Sequence, residues 1–244
     1  MKCLLAALGF KNNDTLYNKE VIINTLKNYA NKVDIVIFGE AFLQGFYAAT
    51  FDESFDKNIA ISLNSNIIKE IKNACIQNNI AVSFGFFELD NGNFYSSQIT
   101  VDKNGNVIDL FKRVSSGWKE HFANDSYKEG TSFHIFIFMN KKVLVGLCGD
   151  LWFEENVNKI NNHNPDIVFW PVYTDYNYDN WNNLEKYEYD TQAKLVCDNV
   201  LYVNSYCLDK EGNEIAKGGA IYYKKGNIEK EIPSGKEEIL VVEI

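Results

Sequence analysis

Histidine, proline and methionine are scarce in this chain of 244 residues, at three, three and two respectively. The three His (His121, His134 and His163) fall in no HxxxH or HExxH spacing, which disfavours metal chemistry on imidazole ligands. The five Cys, at positions 3, 75, 148, 197 and 207, are odd in number and form no CxxC pair. Neither a disulfide framework nor a zinc site is expected, and a reducing compartment fits. Basic charge is short too: 24 Lys and Arg face 33 Asp and Glu, for a net charge of −9, which argues against a nucleic-acid partner. No apolar run reaches the length of a membrane span. The opening MKCLLAALGF is too short for a signal-peptide core and has no small-residue cleavage box before Cys3, so it reads as a buried first strand and a cytoplasmic location is expected. With so little Pro, dispersed Gly and no repeat or low-complexity stretch, nothing divides the chain, and residues 1–244 read as one domain.

What is present is an alternation of unbroken apolar runs with helical periodicity. Leu4 to Leu8 and Ile35 to Phe38 read as strands covered on both faces, and Ile22, Leu26, Tyr29 and Val33 recur between them at helical spacing, a β-α-β unit. Ile67 to Ile76 reads as a helix and Ala81 to Phe87 as a strand. Phe94 to Val101 and Val107 to Val114 flank the turn Asp102-Lys103-Asn104-Gly105, and Phe133 to Phe138 and Val143 to Leu147 flank Met139 to Lys142, two hairpins. A helical stretch follows Cys148, then a strand at Ile167 to Pro171, a long helix over Trp181 to Val196, and strands at Leu201 to Tyr206, Ala220 to Tyr223 and Ile239 to Val242. The expected fold is α/β, with two mixed sheets and helices on their outer faces.

Reactive side chains in such folds collect beyond the carboxyl ends of strands. Three segments qualify: Glu40 after IVIF, the basic cluster after VIDLF, and Cys148 after VLVGL. Cys148-Gly149-Asp150 reads as strand, tight turn, helix start, and a helix N-terminus would favour the thiolate. Gly149 leaves backbone N–H groups free for an oxyanion. Glu40, between apolar segments, would be desolvated, which suits a general base. Asp150 suits a cap or a turn brace. Cys3, Cys75, Cys197 and Cys207 read as core thiols.

Together these segments resemble the nitrilase, or carbon–nitrogen hydrolase, superfamily, in which Glu, Lys and Cys act in that chain order. The resemblance runs along essentially the whole chain, through Val33-Asp34-Ile35-Val36-Ile37-Phe38-Gly39-Glu40, Gly45-Phe46, Cys148 to Glu155, Pro165 to Pro171, and Trp181 with Asn199 to Asn204. It implies a four-layer αββα sandwich. The departure is the lysine: alignment from Gly105 puts Phe111 on the family's aromatic, Lys112 on its basic residue and Arg113 on the catalytic Lys. An Arg can hold an oxyanion but does not donate a proton near neutral pH. Lys119 is therefore favoured for the catalytic role with Arg113 beside it, a one-residue slip that brings Lys112 inward being the alternative. Glu120 falls near the family's second carboxylate, Asp125 being its rival, and Trp118, Trp152, Tyr173 and Tyr176 could wall a pocket.

The resemblance implies hydrolysis of a small amide or carbamoyl compound through a Cys148 thioester, with Glu40 as base and no cofactor or metal. Nitriles are not excluded. It also implies a homodimer or larger homo-oligomer. Because the Lys position is not cleanly filled, a catalytically weak small-molecule binding or partner protein is the alternative. A Cys-His hydrolase would need His121 or His134 beside Cys148.

Overall fold

The computed structural model describes residues 1–209 and 215–244. The chain opens with β1 (Lys2–Ala7), the short β2 (Gly9–Phe10), α1 (Thr15–Tyr29) and β3 (Ile35–Phe38). Then come α2 (Glu53–Asp56), α3 (Asn66–Asn78), β4 (Ala81–Asp90), β5 (Asn93–Val101) and β6 (Val107–Lys112). The second half carries β7 (Ile135–Phe138), β8 (Lys141–Val145), a 3₁₀ turn (Cys148–Trp152), α4 (Glu154–His163) and β9 (Ile167–Val172). Helices α5 (Tyr178–Asn180) and α6 (Lys186–Val196) are joined by a π turn, Trp181–Glu185. Strands β10 (Asn199–Asn204), β11 (Tyr206–Cys207), β12 (Ala220–Lys224), β13 (Asn227–Ile232) and β14 (Glu238–Glu243) follow.

The unbroken apolar runs are explained by burial on both faces. In β1, Cys3, Leu5 and Ala7 point into the core between the sheets, while Leu4 and Ala6 pack outward against Ile22 and Leu26 of α1 and Ile68 and Ile71 of α3. Strand β3 splits in the same way, Ile35 and Ile37 inward and Val36 and Phe38 outward. Each fully buried aliphatic side chain of this kind contributes roughly 1.5–3 kcal/mol. One sheet has the order β14-β1-β3-β4-β5-β6 and the other β13-β12-β10-β9-β8-β7. Val157 and Ile160 of α4 and Tyr189 and Ala193 of α6 cover the second sheet. This gives the expected α-β-β-α layering.

Several boundaries differ from the sequence reading. Met139 and Asn140 both have positive φ, 49° and 60°, so the second hairpin closes on two residues and β8 begins at Lys141 rather than Val143. Strand β6 ends at Lys112 rather than Val114. Strand β13, unread in the sequence, is an edge strand with mostly exposed, charged side chains, so it lacks an apolar signal.

The sheets meet closely where β3 ends. Gly39 N–H donates to Ser205 Oγ at 3.1 Å and Glu40 N–H to the Val172 carbonyl at 3.2 Å. A Cβ at Gly39 would lie 2.8 Å from Ser205 Oγ and 2.9 Å from the Val172 oxygen. Only glycine permits this approach, which delivers Glu40 into the seam.

Candidate active site

Glu40, from the first sheet, is 1% exposed. Its Oε1 accepts from Ser96 Oγ at 2.8 Å and from Arg113 Nη1 at 3.0 Å. Its Oε2 is buried and has no hydrogen-bond partner among the described residues. Arg113 lies one residue past β6 and is 5% exposed. Its Nε donates to Ser115 Oγ at 3.0 Å and its Nη2 to the Ser116 carbonyl at 3.5 Å. A Cβ at Gly149 would fall 2.7 Å from Nη2, so the guanidinium packs directly on the backbone of Gly149. Burial works against the Arg113 cation, but Glu40, Cys148 and Asp150 together hold its pKa above the ordinary value.

Cys148, from the second sheet, occupies the left-handed region at φ 42°, a conformation that costs a non-glycine residue about 1–3 kcal/mol. The turn is held from several sides. Trp170 Nε1 donates to the Cys148 carbonyl at 2.9 Å. Asp150 Oδ2 accepts from Leu147 N–H at 2.9 Å, and its Oδ1 accepts from Val114 and Ser115 N–H at 3.0 and 2.6 Å. Asp150 thus ties the Cys148 turn to the segment that carries Arg113. Burial pushes its carboxyl up to about 6 against the pull of those N–H groups and of Arg113. The Cys148 thiol donates to the Tyr173 carbonyl at 3.6 Å.

One expectation is reversed here. The segment after Cys148 is a short 3₁₀ turn, without the long aligned dipole that would favour a thiolate. Burial, with the Glu40 carboxylate second, pushes the Cys148 thiol up to about 12, against the opposing pull of Arg113. At rest the group is a thiol, and it ionises only if its proton has somewhere to go.

Lys119 is not in this cluster. Its Nζ donates to the Tyr127 carbonyl at 2.6 Å and pairs with Glu129 at 3.0 Å, and among the described residues it has no bond to Glu40 or Cys148. Lys112 points to the opposite face of its strand, pairing with Asp90 at 2.7 Å and lying 3.8 Å above the Tyr95 ring. The one-residue slip is not made: the Arg113 guanidinium lies beside Glu40, on the face opposite Lys112. Glu120 and Asp125 are both exposed, with no bond to Glu40 or Cys148.

Of the aromatic residues, Tyr173 supplies a carbonyl to Cys148 and its ring stacks on Phe46 at 4.4 Å. Trp152 is 41% exposed, edge-on to Tyr189 at 4.8 Å, and Tyr176 stacks on Trp181. Trp118 lines a small apolar cavity with Phe46, Phe86, Phe87 and Ser96. His134 is bound to Asp109 at 2.7 Å, and neither it nor His121 bonds Cys148. A cavity of about 610 Å³ lies at the opposite strand ends, between Lys2, Asp34, Asp102 and Met139, apart from the cluster. Among the described residues no group of three or more His, Cys, Asp or Glu could hold a metal ion, and no helix is long and apolar enough to cross a membrane.

Sequence reading missed Ser96, Ser115 and Trp170. The signal for the first was the polar run Ser96-Ser97-Gln98 inside a strand, all three buried. Ser115 and Trp170 carry no comparable mark.

A carboxylate, a guanidinium and a thiol on a strained turn, brought together at the seam of a four-layer sandwich, define a class. The chain belongs to the carbon-nitrogen hydrolase family, whose profile matches residues 5–244. It is 25% identical over 168 residues to an (R)-stereoselective amidase of Pseudomonas sp., covering 69% of this chain and 58% of that protein. It is 24% identical over 178 residues to a citrullinase of Francisella tularensis, covering 63% of this chain and 62% of that protein. The chain thus spans little more than half the length of the curated relatives it matches. Among solved structures, an amidase from Nesterenkonia sp. superposes with a TM-score of 0.77 at 13% identity, covering 100% of this chain and 90% of that one. The glutamine-dependent NAD+ synthetase of Acinetobacter baumannii gives 0.81 at 21% identity, covering 98% and 44%. At these identities the structural matches speak for the fold.

Proposed function

We propose that this protein hydrolyses the C–N bond of a small carboxamide or carbamoyl compound through a Cys148 thioester. The observation that carries the reading is the buried, unpartnered Oε2 of Glu40 in a carboxylate close enough to Cys148 to oppose its ionisation. Glu40 takes the thiol proton as Sγ bonds to the carbonyl carbon. The oxyanion meets the Gly149 N–H and Arg113 Nη2, each donor contributing about 3 kcal/mol. The C–N bond breaks, and ammonia or an amine leaves with the proton returned by Glu40. Glu40 then deprotonates a water that attacks the thioester, releasing the acid and the thiol. No metal or cofactor enters these steps.

Arg113 fills the cationic position and Lys119 does not. Because the guanidinium keeps its proton, it acts by charge and geometry alone, and all proton movement falls to Glu40. The same substitution supports a second reading, a nitrilase-like protein that binds a small molecule with little turnover. One experiment separates them: ammonia release and Cys148 adduct mass across a panel of amides, ureides and nitriles, for wild type, Cys148→Ala and Glu40→Gln. Hydrolysis lost in both variants is expected. Neither ammonia nor adduct from wild type across the panel favours the binder.

We further propose a homodimer or larger homo-oligomer, supported by the exposed Leu184, Tyr187 and Leu195 on the helical face of the second sheet. Light scattering that gives a monomer at micromolar concentration would count against it.

A further inference from the structure

Ser96 is bound to both halves of the charged pair. Its hydroxyl donates to Glu40 Oε1 at 2.8 Å, and its backbone carbonyl accepts the Arg113 N–H at 2.9 Å. It lies on β5, 6% exposed, and reaches Glu40 past the intervening β4. Two donors, Ser96 Oγ and Arg113 Nη1, converge on one carboxylate oxygen and leave the other bare. An arrangement of this kind fixes the rotation of a carboxylate about its Cγ–Cδ bond. Arg113 alone supplies charge from one direction, and a second donor on the same oxygen is needed to set the plane.

We propose that Ser96 is a positioning residue: by holding Oε1 beside Arg113 it aims Oε2 as the proton acceptor for Cys148. The inference rests on the catalytic reading above, in which Glu40 is the base. The charged or titratable groups around that carboxylate are Arg113 beyond β6, Cys148 beyond β8, and Asp150, which faces Arg113.

The test needs no natural substrate. Methyl vinyl ketone, a neutral electrophile with no C–N bond to cleave, alkylates a thiol when the proton leaves Sγ for a base, the sulfur bonds to the terminal carbon, and the proton ends on the α-carbon. The rate of adduct formation at Cys148, located by peptide mass, is measured for wild type, Glu40→Gln, Ser96→Ala, Ser96→Thr and Ser96→Val, with Cys148→Ala as blank. Ser96→Ala should alkylate about 10- to 100-fold more slowly, because the carboxylate loses the second donor that sets its plane. Ser96→Thr, which keeps the hydroxyl, should stay within about threefold of wild type. If Ser96→Ala does not fold, the ratio between Thr and its isostere Val isolates the hydroxyl. A Ser96→Ala rate equal to wild type, or a Thr variant as slow as Val, overturns the inference. A Glu40→Gln rate equal to wild type overturns instead the reading of Glu40 as base.

Discussion

Replacing Arg113 with Met removes the guanidinium charge at similar side-chain volume and strands Glu40. The two groups are 3.0 Å apart, with side chains 5% and 0% exposed. Coulomb's law at that distance, with an effective dielectric near 20, gives about 5.5 kcal/mol. Truncating one partner of a buried pair costs about 3–5 kcal/mol, because the other charge is left uncompensated. For a domain of this size that is a fall in Tm of about 6–20 °C. Urea denaturation of Arg113→Met and wild type at pH 8 reads the size of the deficit. Turnover should fall about 100- to 1000-fold with the loss of an oxyanion donor. A variant as stable as wild type at pH 8 would refute the reasoning.

With its thiol pushed up to about 12 by burial and by Glu40, Cys148 should add no thiolate absorbance near 240 nm over Cys148→Ala up to pH 9, and a thiolate that titrates at or below pH 8 would contradict this. Asp150→Asn places an amide among three backbone N–H donors and should cost about 1–3 kcal/mol in urea denaturation while slowing methyl vinyl ketone addition at Cys148; an unchanged midpoint would show that the brace is dispensable. His134 has its pKa raised by its hydrogen bond to Asp109, so its stabilising contribution is complete below about pH 6.5 and is lost as pH rises through the folded value. The urea midpoint of wild type should therefore fall across that window more than that of His134→Gln, and parallel curves would rule the pair out as the source.

Much of the scaffold could be read from the order of residues, because β1 and β3 are apolar on both faces and too short for a buried helix. Glu40 and Cys148 were legible for a related reason: each ends such a run beside a glycine. The cation was harder. Alignment with the family from Gly105 already put Arg113 on the catalytic-lysine position and Lys112 on the basic residue before it, and chemical expectation of a proton-donating Lys moved the choice to Lys119. That residue's pairing with Glu129 and the Tyr127 carbonyl is a loop contact with no sequence periodicity. The thiolate expectation failed because it depended on the length of the following helix, and a 3₁₀ turn and an α-helix begin alike in sequence. Ser96 left only the faint mark of polar residues within a buried strand.

The division of the site between two sheets also bears on the order in which it is made. As the chain is synthesised, carboxylate and guanidinium precede the thiol, and the first sheet is completed only when β14 pairs with β1. Until the two sheets dock, the nascent polypeptide carries Cys148 without Glu40 or Arg113 beside it. Assembly of the cluster during biogenesis is thus a property of topology.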